Sequence, residues 1–181
     1  MTLLPDADLF ALDEAMRLLE ATPATLRALL EGLPEGWLHF QEDPDAWSPH
    51  TVLIHLVHNE RTNWIPRVRV VLSPDAIRKF PPFHQLPEDG QQGDEHVSQL
   101  MDEFARLRHD SLSIMRGLSL TPDQFDREAE HPSLGTVNLK HLLATWVVHD
   151  LNHLHQITKS LAKAYRGSVG PWRRYLAILD L

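Results

Sequence analysis

The run from Leu142 to Leu161 constrains this chain more than any other stretch. Leu142, Trp146, His149, His153, Ile157 and Leu161 follow one another at steps of three and four residues, the spacing of one buried helix face. Two imidazoles therefore stand where an ordinary core helix carries Leu or Ile. Being four apart, His149 and His153 sit one turn above each other and point the same way. Two nitrogens so placed suit a single metal ion, as on the helix of the His-Glu-x-x-His metalloproteases. The alternative is a pair of core histidines, each with its own hydrogen-bond partner inside an apolar interior. Gln156, seven positions after His149, lies on nearly the same face and is placed to line the same cavity.

The rest of the chain reads as helix as well. A first helix is predicted from about Asp8 to Glu31, broken or offset at Pro23 and ended by Gly32, Pro34 and Gly36. Ser48 and Pro49 supply the cap and first position of a second helix, which runs to about Leu72 with a kink at Pro66. Arg61, Arg67 and Arg69 gather towards its carboxyl end, where a helix dipole favours cations. Residues 73–93 are rich in Pro and Gly, without periodicity, and long enough to travel the length of a bundle. Helices two and three are therefore expected to run parallel. Asp94 opens a third helix to about Gly117. A connection follows with turn signals at Thr121-Pro122-Asp123 and His131-Pro132-Ser133. Asn138 caps a fourth helix reaching about Tyr165, and Gly170-Pro171 begins a short amphipathic tail helix with Trp172, Tyr175 and Leu179 on one face. No strand-like alternation of convincing length is present. The expectation is an all-α four-helix bundle over residues 1–181, one domain, with a long crossover between helices two and three and a short C-terminal helix.

Composition excludes several classes. The net charge of -8 argues against a nucleic-acid binder, and no apolar run approaches a membrane span. With no cysteine, the chain has no disulfide, no thiolate metal site and no cysteine nucleophile. The residues after Met1 carry no basic region or long hydrophobic stretch, so a cytoplasmic protein is expected.

Twelve histidines are many for 181 residues. A third ligand should come from a helix facing the fourth, and helix two offers His55, His58 and Glu60; periodicity does not separate the two histidines. His155 turns about 200° from His153 on an ideal helix and should face away. His39, His50, His84, His96, His109, His131 and His141 fall on connections or polar faces and are expected at the surface.

The segments Trp47–Leu72 (WSPHTVLIHLVHNERTNWIPRVRVVL) and Leu142–Ile157 (LLATWVVHDLNHLHQI), with LGTVNLKHLL before the second and GPWRRYL after it, resemble the DinB-like metalloenzyme superfamily. The resemblance covers most of the chain. It implies a four-helix bundle with a crossover and a metal triad at His55, His149 and His153. Three neutral imidazoles with an open position form a catalytic rather than a structural pattern. Zn²⁺, Ni²⁺ and Fe²⁺ all suit it. The resemblance favours a thiol-dependent S-transferase or isomerase acting on a small electrophile, with a low-molecular-weight thiol as cosubstrate. The alternatives are a hydrolase using a metal-bound water and a non-catalytic metal-binding stress-response protein. It also implies a homodimer. Asp150 and Asn152 are candidates to orient the imidazoles; Glu60 and Gln156 have no assigned role.

Overall fold

The computed structural model describes residues 10–87 and 96–180. Its helices are α1 (Leu12–Leu30), α2 (Glu35–Leu38), α3 (Pro49–Thr62), α4 (Trp64–Leu72), α5 (Val97–Gly117) and α6 (Leu139–Ala164). A hairpin of β1 (Glu128–His131) and β2 (Gly135–Asn138) precedes α6, and single 3-10 turns cover Pro122–Asp126, Gly170–Tyr175 and Ala177–Leu179. The predicted helix starts at Asp8 and Asp94 lie outside the described residues.

Local chemistry sets the boundaries. Ser48 accepts the Thr51 N–H at 3.2 Å with Pro49 in the first turn, and Asn138 accepts the His141 N–H at 2.8 Å. Gly32 follows α1 at φ 79°, a backbone that glycine adopts without strain. Two prolines behave differently from expectation. The helix α1 runs through Pro23 unbroken. Proline has no N–H for the carbonyl four residues back; that Leu19 carbonyl instead accepts Nη1–H of Arg108 at 2.7 Å, from α5. The kink ascribed to Pro66 falls earlier, at Asn63 (φ -107°, ψ -67°). The carbonyl deprived by Pro66 belongs to Thr62, so the distortion sits one turn upstream. The chain nevertheless carries on, with N–H bonds from Asn63 to Asn59 and from Arg67 to Asn63.

The apolar core is split in two. One cluster holds Met16 and Leu19 of α1, Trp64 and Val68 of α4, Leu112 and Met115 of α5, and Leu143 and Trp146 of α6. The other holds Leu26 and Leu30 of α1, Leu53 and Leu56 of α3, Leu100 and Phe104 of α5, and Ile157 of α6. The order of visits gives the helix directions. The paths of α3–α4 and of α5 run from the second cluster to the first, hence parallel; those of α1 and α6 run the other way. This is the four-helix bundle with crossover read from the sequence. Both α1 and α3 pack on α5 and α6. Between the two clusters lies a buried polar layer of Thr22, Asn59, Glu60, Arg108, Ser111 and Asp150.

Two features depart from the sequence reading. The connection before α6 contains the antiparallel hairpin, paired from Glu128↔Asn138 to His131↔Gly135, with the expected turn at its tip. Residues 78–80 lie alongside it, Phe80 N–H bonding to Glu130 O and Glu130 N–H to Arg78 O. Strands of four residues give too short an alternation to read. The tail is two 3-10 turns separated at Leu176 (φ -114°, ψ 76°), not one amphipathic helix. Leu179 is buried whereas Trp172 and Tyr175 are 71% and 66% exposed, so the three do not share a face. Among the described residues no helix is long and apolar enough to cross a membrane.

Candidate metal centre

The face of α6 read from the sequence forms as expected: Trp146, His153 and Ile157 are buried and His149 is half-buried. Across from it, the first half of α3 delivers His55. One ligating nitrogen from each of His55, His149 and His153 lies within 4.8 Å of the others. The contacts are through Nε2: His55 to His149 at 3.0 Å and His153 to His149 at 3.2 Å.

The outer nitrogens decide what those Nε2 atoms are. The Nδ1–H of His55 donates to the Gln85 carbonyl at 2.6 Å, and that of His153 donates to Gln156 Oε1 at 2.9 Å. A neutral imidazole with its proton on Nδ1 presents a bare lone pair at Nε2. Burial pushes both groups down to about 4, so both are neutral near pH 7. His149, whose Nδ1 is buried without a hydrogen-bond partner among the described residues, brings at most one proton on Nε2 to the two lone pairs that face it. A shared cation resolves the conflict, and at metal–nitrogen bonds of roughly 2.0–2.1 Å two ligands of one ion stand about 3 Å apart. The donor set and its spacing therefore fit a divalent metal.

The surroundings hold the rings in place. Ser160 Oγ–H bonds to Phe40 O at 3.2 Å, and Glu42 pairs with Lys159 and Lys163 at 2.9 and 2.6 Å. These contacts tie the segment before α3 to α6 and set Trp47 against the site, its ring 4.9 Å from His55 and 6.2 Å from His153. Trp64 meets His149 edge-on at 5.0 Å. Asn59 is buried; its Nδ2 donates to the His55 carbonyl at 2.8 Å and lies 3.0 Å from His55 Nε2. Asn63 Nδ2–H donates to Asn59 Oδ1, which fixes the orientation of that amide. A cavity of about 600 Å³ opens over the histidines.

The other sequence candidates separate clearly. His58 points away from the triad, and its Nε2–H donates to the His84 carbonyl at 3.0 Å. His155 is exposed. Contrary to expectation His50 is buried, at 7% exposure, with its ring 4.5 Å from His39. Glu60 faces not the triad but the polar layer, where its Oε1 accepts from Arg108 Nε at 2.9 Å and Trp146 Nε1 at 3.1 Å. Asp150 is buried, and Arg108 grips it with a fork of 2.6 and 3.0 Å. Its carboxylate lies 3.9 Å from His149 Nδ1, too far for a hydrogen bond. Burial alone would raise the Asp150 carboxyl, but His149 and Arg108 beside it hold it below the ordinary range. Asn152 is exposed at the cavity wall; the orienting contacts come from Gln85 and Gln156 instead.

The sequence model of the DinB superfamily matches residues 18–157, which spans all three histidines. The chain belongs to that superfamily. A solved structure with the same fold is that of YfiT from Bacillus subtilis, described as "a probable metal-dependent hydrolase with an unusual four-helix bundle topology". It is 20% identical, with a TM-score of 0.74 over 91% of this chain and 94% of that one. No curated protein sequence matches the chain. Within this DinB-superfamily bundle, sequence reasoning missed Arg108 and Asn59. Arg108 stands in the buried stripe Phe104, Arg108, Leu112, and its spacing was the available signal. Nothing local marks Asn59 apart from its place four residues after His55.

Proposed function

We propose that this protein is a divalent-metal-dependent enzyme acting on a small molecule, with His55, His149 and His153 as ligands. The observation that carries the reading is the convergence of three histidines, of which His55 and His153 turn Nε2 lone pairs inward because their outer nitrogens are committed to Gln85 and Gln156. The contributing side chains come from α3 and α6 alone, which leaves the cavity side open. A bound divalent ion would supply a Lewis-acid centre that acidifies a water or a thiol entering from that side.

The chain's own residues would do the rest. Gln85 and Gln156 orient the two rings and raise their basicity. Trp47 packs against the rings of His55 and His153, and Trp64 against that of His149. Asn59 holds one N–H against His55 Nε2, so once that lone pair is engaged by a metal the same N–H becomes free to donate to an anion forming beside it. Asn63 prevents the amide from turning away.

Two nucleophiles compete. Water is favoured by the printed description of YfiT as a probable metal-dependent hydrolase. A low-molecular-weight thiol is favoured by the sequence resemblance, and it would have to come from solution, because the chain has no cysteine. The experiment is metal analysis of untagged protein, then a screen of ester, amide and epoxide substrates with and without added thiols. Stoichiometric metal and turnover without thiol assign the hydrolase. Turnover strictly dependent on thiol assigns the transferase. Turnover that survives complete removal of the metal would overturn the proposal. We also propose a homodimer, for which the exposed Trp172 and Tyr175 are the candidate contact; a 20.7 kDa species alone in light scattering would refute it.

A further inference from the structure

Four side chains along α3 and α4 line the cavity in one row: His55, Asn59, Asn63 and Arg67, each four residues from the last. The kink at Asn63 preserves that row. His55 belongs to the metal triad, and Arg67 stands three turns away, about 18 Å along an ideal helix axis. Its neighbours Arg61 and Arg69 are exposed, and Arg61 pairs with Glu103 at 2.5 Å. Arg67 is different. It is half-buried, and its guanidinium lies over Phe80 at 4.9 Å and over Phe83 at 5.6 Å. Among the described residues it has neither a carboxylate nor a hydrogen-bond acceptor, although a guanidinium carries five N–H donors. The sequence placed it with the charges that favour a helix end; the structure turns it into the cavity.

The shelf beneath it is built rather than incidental. Phe80 is buried and is fixed by its N–H bond to Glu130 O of β1. Aromatic faces hold the guanidinium flat and leave its edge to the cavity. The effect of its charge reaches His131, whose ring meets Phe80 edge-on at 6.1 Å and whose imidazole burial and Arg67 together lower. Among the described residues the one carboxylate on the cavity wall, Asp45, is exposed to solvent.

We infer that Arg67 is the anion subsite of the cavity, taking the carboxylate of a small organic acid held between the aromatic shelf and the open cavity over the histidines. A flat guanidinium edge matches a carboxylate two bonds at a time, and the aromatic and apolar walls suit the body of such a molecule. The inference deepens the proposed function and rests on the same cavity.

The test uses fluorine NMR titration of zinc-loaded protein with 4-fluorobenzoate and with its uncharged counterpart 4-fluorobenzamide. Wild type should prefer the acid. Arg67→Gln should weaken the acid by about tenfold or more while leaving the amide within a factor of two. Arg67→Lys, which keeps the charge and loses the fork, should fall between. The same titration in metal-stripped protein separates the two readings. A preference for the acid that survives stripping and is lost in Arg67→Gln belongs to Arg67, whatever becomes of the metal; one that survives both overturns the subsite. A preference that vanishes with the metal and is indifferent to Arg67→Gln places the carboxylate on the metal and overturns the subsite. So does equal or undetectable binding of both probes to wild type, a result that needs no variant to fold.

Discussion

Two groups of polar side chains occupy the middle of the bundle, and they treat their hydrogen-bonding capacity in opposite ways. Arg108 directs all three of its nitrogens to partners: Nε to Glu60, Nη1 to Leu19 O and Asp150, Nη2 to Asp150 and Glu60. It links α5 to α1, α3 and α6 and leaves no donor for a ligand. The histidines a turn away also link α3 to α6, yet they aim three nitrogens at one another with only the Asn59 amide beside His55 Nε2 to serve them. Both groups are costly to bury. The first offsets that cost within the chain, which is what a structural network does. The second requires something from outside, which is what a binding site does.

The contrast predicts its largest effect at Arg108. Arg108→Ala would strand Glu60 and Asp150 in the core and orphan the carbonyl freed by Pro23. Breaking a buried pair by removing one partner costs about 3–5 kcal/mol. Urea unfolding should show a loss of that size, with or without metal. A loss no greater than a surface pair gives, below about 1 kcal/mol, would break the comparison.

The histidines should behave in the reverse sense. Each of His55→Ala, His149→Ala and His153→Ala should abolish stoichiometric metal, read by elemental analysis after dialysis, while circular dichroism and the urea midpoint of the metal-free chain change far less than in Arg108→Ala. Unfolding of these variants on the scale of Arg108→Ala would mean that the triad is structural too.

A pH profile sharpens the same point. In the unfolded chain histidine titrates near 6.5, whereas burial holds His55 and His153 at about 4 in the folded metal-free protein. Between those values the unfolded state binds protons that the folded state refuses. Stability should therefore fall as pH drops through that window and level off below it. Thermal melts of chelator-treated protein should show the slope, and the double variant His55→Ala/His153→Ala should flatten it. An equal slope in the double variant would assign the effect elsewhere.

Much of this was legible in the sequence for a physical reason. Periodicity records which face is buried, so the bundle and the inward turn of His149 and His153 could be read from spacing, and the two caps from residue type. The long crossover followed from the Pro- and Gly-rich composition of residues 73–93. What could not be read depends on contacts between distant segments. Pro23 looks like a helix breaker until Arg108, 85 residues later, supplies the missing donor. His55 and His58 flank buried residues equally, and only the path of residues 84 and 85 shows which carbonyl each one meets. The hairpin is too short to register as alternation. Arg67 sits among other arginines and was grouped with them by position.

The smallest effects belong to the histidines beside the triad, and they grade the site rather than merely controlling for it. His155 is exposed on the far side of α6, so His155→Ala should change neither metal content nor affinity. His58 is less remote. Its Nε2–H holds the His84 carbonyl while His55 Nδ1–H holds the adjoining Gln85 carbonyl, so two histidines of α3 pin the same strap. Removing His58 leaves the three converging nitrogens in place but frees one of the two pins. Full loss of a ring-orienting partner typically lowers metal affinity by about 10–100-fold. His58→Ala loosens such a partner without deleting it. It should therefore keep stoichiometric metal and lose no more than about tenfold in affinity, measured by competition with a coloured chelator. Metal loss as complete as in His55→Ala would place His58 among the ligands and undo the division between the two histidines.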